Sequence, residues 1–137
     1  MKRTASAHWE GDLKTGKGNL STQSTTLNKT QYSYNTRFAD GVGTNPEELL
    51  VAAHAGCFTM AVSAMLTEAG FIATSLDTVA TVTMEDLTVT GIHLAITGKV
   101  PNITAPKFFE IVKGAEKNCI ISKALSVPIS SEAALLN

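Results

Sequence analysis

An uncharged stretch of 18 residues, from Leu49 to Leu66, constrains the fold of this chain most strongly. It lies inside one long helix candidate, Pro46–Ala69, which Asn45 can cap and Gly70 can end. At 1.5 Å per residue this helix is roughly 36 Å long, which is long for a chain of 137 residues. Its larger apolar residues lie all around the helix, so we expect a buried central helix and, to cover it, a homodimer. They are Leu49, Leu50, Val51, Phe58, Met60, Val62, Met65 and Leu66.

The same stretch is at the lower limit for a membrane-spanning helix. We reject that interpretation because His54, Gly56 and Ser63 dilute it and acidic residues flank it. The net charge of -1 also gives no reason to expect nucleic acid as a partner. The first ten residues contain no apolar segment of the kind a secretory signal needs. We therefore expect a cytoplasmic protein with neither a membrane nor a nucleic acid as partner.

Alternation of polar and apolar residues predicts strands on both sides of the long helix. A second amphipathic helix opens near Thr104, and a short helical turn is expected at Ser122–Leu125. This order of elements predicts an α+β fold with antiparallel sheets. No linker or repeat interrupts the chain, so we expect residues 1–137 to form a single domain. The predicted strands are Ala5–Glu10, Gly18–Thr22, Gln31–Phe38, Leu76–Glu85, Ile92–Val100 and Ser126–Ser130.

Two cysteines, Cys57 and Cys119, are the first candidates for chemistry. A lone cysteine in an apolar helix is most simply a core residue. However, Cys119 ends the apolar face of the second helix, so packing of that face against the long helix could bring the two sulfurs close enough for a reversible disulfide. In a reducing compartment such a pair is more often catalytic or sensing than structural.

A cysteine acts as a nucleophile only as the thiolate, so Cys57 would need a nearby cation. Arg37 is the best candidate, and Glu47 could fix it in a planar pair of two hydrogen bonds. We expect Glu48 to be structural instead, as the acid that reaches back in a capping box with Asn45. Ten residues of helix place Glu47 roughly 15 Å along the axis from Cys57. A pair that serves Cys57 could therefore include a residue of the partner subunit.

Two other functions fit the same residues. His54 and Cys57 share a helix face and could bind Zn²⁺ together with Cys119 and either His8 or His93, which would make a dimeric metal-binding or ligand-binding module without turnover. Alternatively, Cys57 could sense oxidants without catalysis. No P-loop, dinucleotide-binding glycine motif or serine-hydrolase elbow is present in the sequence.

Four segments together resemble the OsmC/Ohr family of thiol peroxidases, in particular its OsmC branch. The resemblance covers nearly the whole chain and implies an intertwined α+β homodimer with two active sites at the subunit interface. It also implies that Cys57 is the peroxidatic thiol, Cys119 the resolving thiol, and Arg37 and Glu47 the activating pair. The resemblance implies organic hydroperoxides as substrates and an external dithiol, such as that of a lipoylated protein, as reductant, with no metal or flavin. The segments are Ala7–Asp12, Asn35–Phe38, Gly43–Leu50 and Ala52–Phe58.

Overall fold

A computed structural model describes all residues, Met1–Asn137, and they pack as two compact units, Met1–Leu49 and Leu50–Asn137. The predicted α+β class is confirmed, with two three-stranded sheets and one long helix. In chain order the elements are β1 (Ala5–Glu10), β2 (Lys17–Thr22), β3 (Thr30–Tyr32), α1 (Tyr34–Phe38), α2 (Pro46–Glu68), β4 (Ser75–Glu85), β5 (Thr88–Lys99), α3 (Ala105–Asn118), α4 (Ile120–Ala124) and β6 (Ile129–Leu135).

The first unit contains an antiparallel sheet in the order β1-β2-β3. Gly18 pairs with both Trp9 and Tyr32, whose rings lie 5.6 Å apart between centroids. A Cβ atom at Gly18 would lie only 2.5 Å from the Trp9 ring and 2.6 Å from the Tyr32 ring. A glycine is therefore required for the two aromatic side chains to meet across the sheet.

The predicted third strand was wrong at its end, because the chain leaves the sheet after Tyr32 and forms α1. Ser33 and Thr36 exchange hydrogen bonds in a complete capping box. The Thr36 N–H donates to Ser33 Oγ at 3.2 Å, and the Ser33 N–H donates to Thr36 Oγ1 at 2.8 Å. This local pairing overrides the strand preference of the aromatic residues and places Arg37 on a helix.

Helix α2 begins and ends close to its predicted bounds. The Glu48 N–H donates to Asn45 Oδ1 at 2.8 Å, which confirms the predicted cap. The reciprocal half of the predicted capping box is wrong, because the Glu48 carboxylate accepts the Thr44 hydroxyl at 2.7 Å instead. Gly70 follows the helix with φ +89°, a conformation that glycine adopts without strain.

Within one chain α2 buries a single stripe, formed by His54, Phe58, Val62 and Leu66. Its other sides are partly or fully exposed, and Met60 is 75% exposed. By length and composition alone the helix could cross a membrane, with a mean hydropathy of 1.8. The buried stripe, however, belongs to the core of the second unit. We predicted a helix buried on most sides, but a single chain covers only this stripe. Covering the remaining apolar surface requires contact with another molecule.

The second unit contains a mixed sheet in the order β4-β5-β6. Strands β4 and β5 form the predicted antiparallel hairpin, and β6 adds to it by pairing with β5 in parallel. The last strand also lies later than predicted, at Ile129–Leu135. Pro128 has no N–H for the ladder and lies just before the strand, where its carbonyl accepts the Ile92 N–H at 3.0 Å.

The core of the second unit combines the α2 stripe, the inner face of β5 and the apolar face of α3. Thr104 caps α3, and Cys119, predicted as the last residue on the apolar face of this helix, follows its last helical residue as the C-terminal cap. The predicted helical turn near Ser122 is found as α4, slightly earlier in the chain. Besides the α2 stripe, the buried apolar residues are Ile92, Leu94, Ile96, Val100, Ile103, Phe108, Ile111, Val112, Ala115 and Cys119.

Candidate active site

Cys119 lies at the junction of two helices. Its N–H donates to the Ala115 carbonyl at 2.9 Å and closes α3, while its carbonyl accepts the Lys123 N–H at 3.0 Å within α4. The residue is 1% exposed. Its backbone is therefore held from both sides, and its sulfur is presented at a fixed place in the core.

Cys57 lies in the middle of α2, half-buried, and contacts Cys119. Both cysteines are free thiols, and their side chains lie close enough to influence each other's ionisation. Both line one cavity of about 640 Å³, whose other walls are mostly apolar. The structure thus brings together two thiols that are 62 positions apart in the sequence. The remaining lining residues are Ala53, Met60, Ala61, Asn118, Ile120 and Ile121.

The surroundings of the two thiols shift their pKa values in opposite directions. Burial raises the pKa of Cys57, and the hydrogen bond with Cys119 adds to that effect. Burial also opposes ionisation of Cys119, but hydrogen bonds from Cys57 and Ser122 outweigh it and lower the pKa of Cys119. Within this unit, therefore, the negative charge is more stable on Cys119 than on Cys57. Ionisation of Cys57 at neutral pH requires an additional positive charge.

Arg37 and Glu47 form an ion pair inside one chain, within the first unit. Arg37 Nε and Nη2 both donate to Glu47 Oε1, at 2.8 and 2.6 Å. The pair has the two predicted hydrogen bonds, but the same carboxylate oxygen, Oε1, accepts both. Oε2 is buried without a hydrogen-bond partner. Because Glu47 lies in the first turn of α2, the positive end of the helix dipole also stabilises its charge.

The guanidinium of Arg37 also lies near aromatic rings. Its Cζ atom is 5.2 Å from the centroid of the Phe38 ring, within the range of a cation–π contact. Arg37 lines a cavity of about 280 Å³ together with Trp9, Tyr32 and Tyr34. Glu47 and the aromatic wall together hold the cation in a defined orientation.

His54, considered above as a zinc ligand, is fully buried one turn before Cys57 on α2. Its Nε2 atom lies 2.8 Å from Ser122 Oγ, and Nδ1 is buried without a partner. Burial lowers the pKa of His54 and keeps the imidazole neutral. No group of three or more His, Cys, Asp or Glu side chains lies close enough to hold a metal ion. Of the other two candidate ligands, His8 contacts Glu10 and His93 contacts Ser130.

Ser122 is a site residue that the sequence did not reveal. It contacts His54 and lies three residues after Cys119 on α4. Its partner His54 is 68 positions away, and a serine in a short helical turn carries no local signal of such a role. Only the packing of α4 against α2 brings these polar groups together.

Known proteins similar to this chain share its length and its fold. A family model described as OsmC-like protein matches residues 39–132. Peroxiredoxin OsmC of Escherichia coli is 46% identical over 134 residues, which cover 95% of this chain and 94% of that protein. An OsmC-like protein from Mycoplasma pneumoniae matches with a TM-score of 0.79 and 14% identity, covering 100% of this chain and 99% of the other.

The organic hydroperoxide resistance protein OhrB of Bacillus subtilis has the same fold, with a TM-score of 0.65 and 20% identity over 96% of this chain and 97% of the other. Two free thiols in one cavity, on a chain nearly half identical to a peroxiredoxin, define a thiol-dependent peroxidase. The chain belongs to the OsmC family.

Proposed function

We propose that this protein reduces organic hydroperoxides to alcohols, with Cys57 as the peroxidatic thiol and Cys119 as the resolving thiol. The observation that carries the proposal is the contact between two free thiols in one mostly apolar cavity. Oxidation and resolution can therefore occur at one place. Arg37, oriented by Glu47, supplies the positive charge that Cys57 requires, from the same protomer or from a partner.

In the first step the Cys57 thiolate attacks the distal oxygen of the hydroperoxide. A sulfur–oxygen bond forms, the oxygen–oxygen bond breaks, and the alkoxide leaves as the alcohol after taking up a proton. Cys57 becomes a sulfenic acid. The Arg37 guanidinium stabilises the negative charge on the sulfur before the attack and on the leaving oxygen during it.

In the second step the Cys119 thiolate attacks the sulfur of the sulfenic acid. The disulfide forms, the sulfur–oxygen bond breaks, and hydroxide leaves as water. An external dithiol then reopens the disulfide by exchange, and its own thiols are oxidised to a disulfide. The buried, apolar position of the pair favours a small dithiol or a flexible arm, such as the lipoyl group of a lipoylated protein.

The cavity walls support a preference for organic hydroperoxides over hydrogen peroxide. Met60, Ala61 and Ile121 offer apolar surface beside the thiols. Burial of an alkyl chain there contributes roughly 25 cal/mol per Å² of apolar area removed from water. Hydrogen peroxide has no alkyl group and gains nothing from these walls.

We also propose that the protein works as a homodimer in the cytoplasm. The side of α2 opposite its buried stripe is exposed in one protomer and carries no charge along Ala53, Gly56, Met60 and Ala64. An apolar helix surface of this length favours burial, and a second copy of the same face would cover it. The cavity that holds the thiols opens beside Ala53 and Met60, so such an interface would border the active site.

Steady-state peroxidase kinetics test the proposed function. Cumene hydroperoxide and hydrogen peroxide are compared as substrates, with dihydrolipoamide and then a monothiol as reductant. We expect a higher kcat/KM for the organic hydroperoxide and faster turnover with the dithiol. The Cys57→Ser variant should lose all peroxide reduction, while Cys119→Ser should form the sulfenic acid once per chain without forming a disulfide. Undiminished turnover in Cys57→Ser would overturn the proposal.

A further inference from the structure

The two thiols of the site differ in how far solvent can reach them. Cys119 is 1% exposed and belongs to the buried core of the second unit. Cys57 is half-buried and packs against that core. The cavity that both residues line extends to Met60 and Ile120, which are 75% and 73% exposed. A molecule that enters the cavity from solvent therefore finds open surface on Cys57 and almost none on Cys119.

Exposure of the Cys119 sulfur would require α3 or α4 to move. Helix α3 forms much of the core, and α4 is fastened to the core through Ser122, its one buried residue. Ser122 Oγ lies 2.8 Å from Nε2 of the fully buried His54. Ile121 and Leu125 pack against the core beside it. Moving α4 away would break the buried contact and leave its polar groups without partners, which is costly.

Thiol–disulfide exchange depends on access to the sulfur that is attacked. The incoming thiolate approaches along the sulfur–sulfur axis, so the attacked sulfur must be open on the side away from its partner. Cys57 has surface in the cavity that can meet this requirement. Cys119 has almost no open surface, and a reductant would have to pass packed apolar side chains to reach it.

We infer that the external dithiol attacks Cys57 rather than Cys119, so that Cys57 is the electrophilic sulfur of the reductive step and Cys119 is its leaving group. This inference rests on the proposed function. A thiolate of the dithiol bonds to the Cys57 sulfur, the Cys57–Cys119 bond breaks, and Cys119 leaves as a thiolate that takes up a proton. The second thiol of the reductant then attacks the reductant's own sulfur in the mixed disulfide. Cys57 leaves as a thiolate, and the dithiol ends as a cyclic disulfide.

This order of steps gives a reason why a dithiol should be the better reductant. After the first step Cys119 lies beside the mixed disulfide on Cys57 and can attack it, which restores the starting disulfide. A bound dithiol competes with that reversal because its second thiol is held next to the same bond. A monothiol needs a second molecule to enter the cavity.

Mapping of the mixed disulfide tests the inference. The wild-type protein is oxidised with diamide, which joins the two thiols without a peroxide, and is mixed briefly with glutathione. Acid then stops the exchange by protonating the thiolates, the free thiols are alkylated, and peptide mass spectrometry locates both groups. We expect about tenfold more glutathione on Cys57 than on Cys119, as the difference in access implies. An equal distribution, or an excess on Cys119, would overturn the inference.

Single-cysteine variants measure access to each sulfur even if the mixed disulfide is too short-lived to trap. Cys119→Ser leaves Cys57 as the only thiol, and Cys57→Ser leaves Cys119. Each variant reacts with Ellman's reagent, and its rate is divided by the thiolate fraction, measured by ultraviolet absorbance at the same pH. In the folded variants we expect the Cys57 thiolate to react at least about tenfold faster, and in urea the two rates should converge. Equal rates in the folded variants would contradict the inference.

Failure of the inference can be distinguished from failure of the proposed function. Neither measurement uses a peroxide, so absence of peroxide reduction in the wild-type protein would refute the proposed function and leave the measured access to each sulfur unchanged. Failure of diamide to join the two thiols would refute the proposed resolving role of Cys119. Circular dichroism and thermal unfolding establish that both variants are folded.

Discussion

At the scale of single residues, Glu47 holds the guanidinium of Arg37 in one orientation. Two N–H groups of Arg37 donate to one oxygen of its carboxylate, and the side chain of Glu47 is only 15% exposed. Hydrogen bonds to charged groups contribute roughly 1.5–3 kcal/mol each, and solvent lowers that value here because the Arg37 side chain is 42% exposed. Glu47 therefore fixes the orientation of Arg37 as well as balancing its charge.

We predict that Glu47→Gln lowers kcat/KM for an organic hydroperoxide about tenfold to a hundredfold, as expected from loss of one such charged bond. The amide keeps the shape of the side chain but accepts more weakly than the carboxylate. Glu48→Gln is the matched control, because the Glu48 carboxylate binds Thr44 rather than Arg37. Steady-state kinetics of the two variants give the comparison, and equal losses in both would contradict a specific role for Glu47.

Burial of His54 predicts a pH dependence of stability. Since burial lowers the pKa of His54, the unfolded chain binds a proton more readily than the folded protein below the ordinary histidine pKa of about 6.5. The free energy of unfolding should therefore fall as the pH decreases below that value, by at most about 1.4 kcal/mol per pH unit for one proton.

Urea unfolding at several pH values measures this dependence. The His54→Gln variant should lack the component that sets in near the ordinary histidine pKa, because its side chain does not titrate. His8→Gln changes a histidine whose side chain is 60% exposed and should keep the wild-type pH dependence. If the free energy of unfolding of His54→Gln falls with decreasing pH as it does in the wild type, groups other than His54 cause the pH dependence.

At the scale of elements, α1 depends on its capping box. We predict that Ser33→Ala destabilises the protein by about 1 kcal/mol, the usual effect of removing an N-terminal cap, and lowers peroxidase activity because α1 carries Arg37. Ser33→Thr retains a hydroxyl and should restore most of both properties. Thermal unfolding and steady-state kinetics are the measurements, and unchanged activity in Ser33→Ala would show that Arg37 keeps its orientation without the cap.

Elements defined by local signals could be predicted from the sequence, and those defined by distant partners could not. Asn45, Gly70 and Thr104 mark helix ends through bonds within a few residues. The parallel pairing of β6 depends on β5, far away in the sequence, and nothing local distinguishes it from an antiparallel pairing. The end of β3 was missed because the Ser33 and Thr36 capping box competes with an aromatic strand pattern.

The candidate site follows the same rule. The two thiols and Arg37 could be predicted as a chemically plausible set because the chain has only two cysteines and two arginines, and Glu47 could be added because Glu48 was already assigned to the helix cap. The contact between Ser122 and His54 could not, since neither residue carries a local signal of it and only tertiary packing joins them. The sequence also could not predict which thiol has the lower pKa, because that depends on burial and on the hydrogen bonds around both sulfurs.

At the scale of the whole molecule, the uncovered side of α2 leads to a prediction about assembly. Ala64→Glu places a charge on that side, and burying an unpaired charge at an interface costs about 3 kcal/mol or more, so the dimer dissociation constant should rise at least about a hundredfold. Leu87→Glu is the matched control at the exposed tip of the β4–β5 hairpin, where Leu87 is 79% exposed.

Light scattering coupled to size-exclusion chromatography measures the mass of each variant over a range of concentrations. We expect a dimer for the wild type and for Leu87→Glu, and a monomer for Ala64→Glu. A wild-type protein that remains monomeric at high concentration would contradict the proposed dimer, and so would an Ala64→Glu variant that associates as tightly as the wild type.

Backbone hydrogen bonds hold Cys119 at both its N–H and its carbonyl, which limits how this residue can move during the proposed catalytic cycle. Its amide and its carbonyl are each engaged by a different helix, so neither can shift without opening a helical turn. In the proposed cycle, the movement that joins the two sulfurs would then fall on the Cys119 side chain and on Cys57. The backbone at Cys119 would stay the same in the oxidised and reduced proteins, so this residue would need no refolding between turnovers.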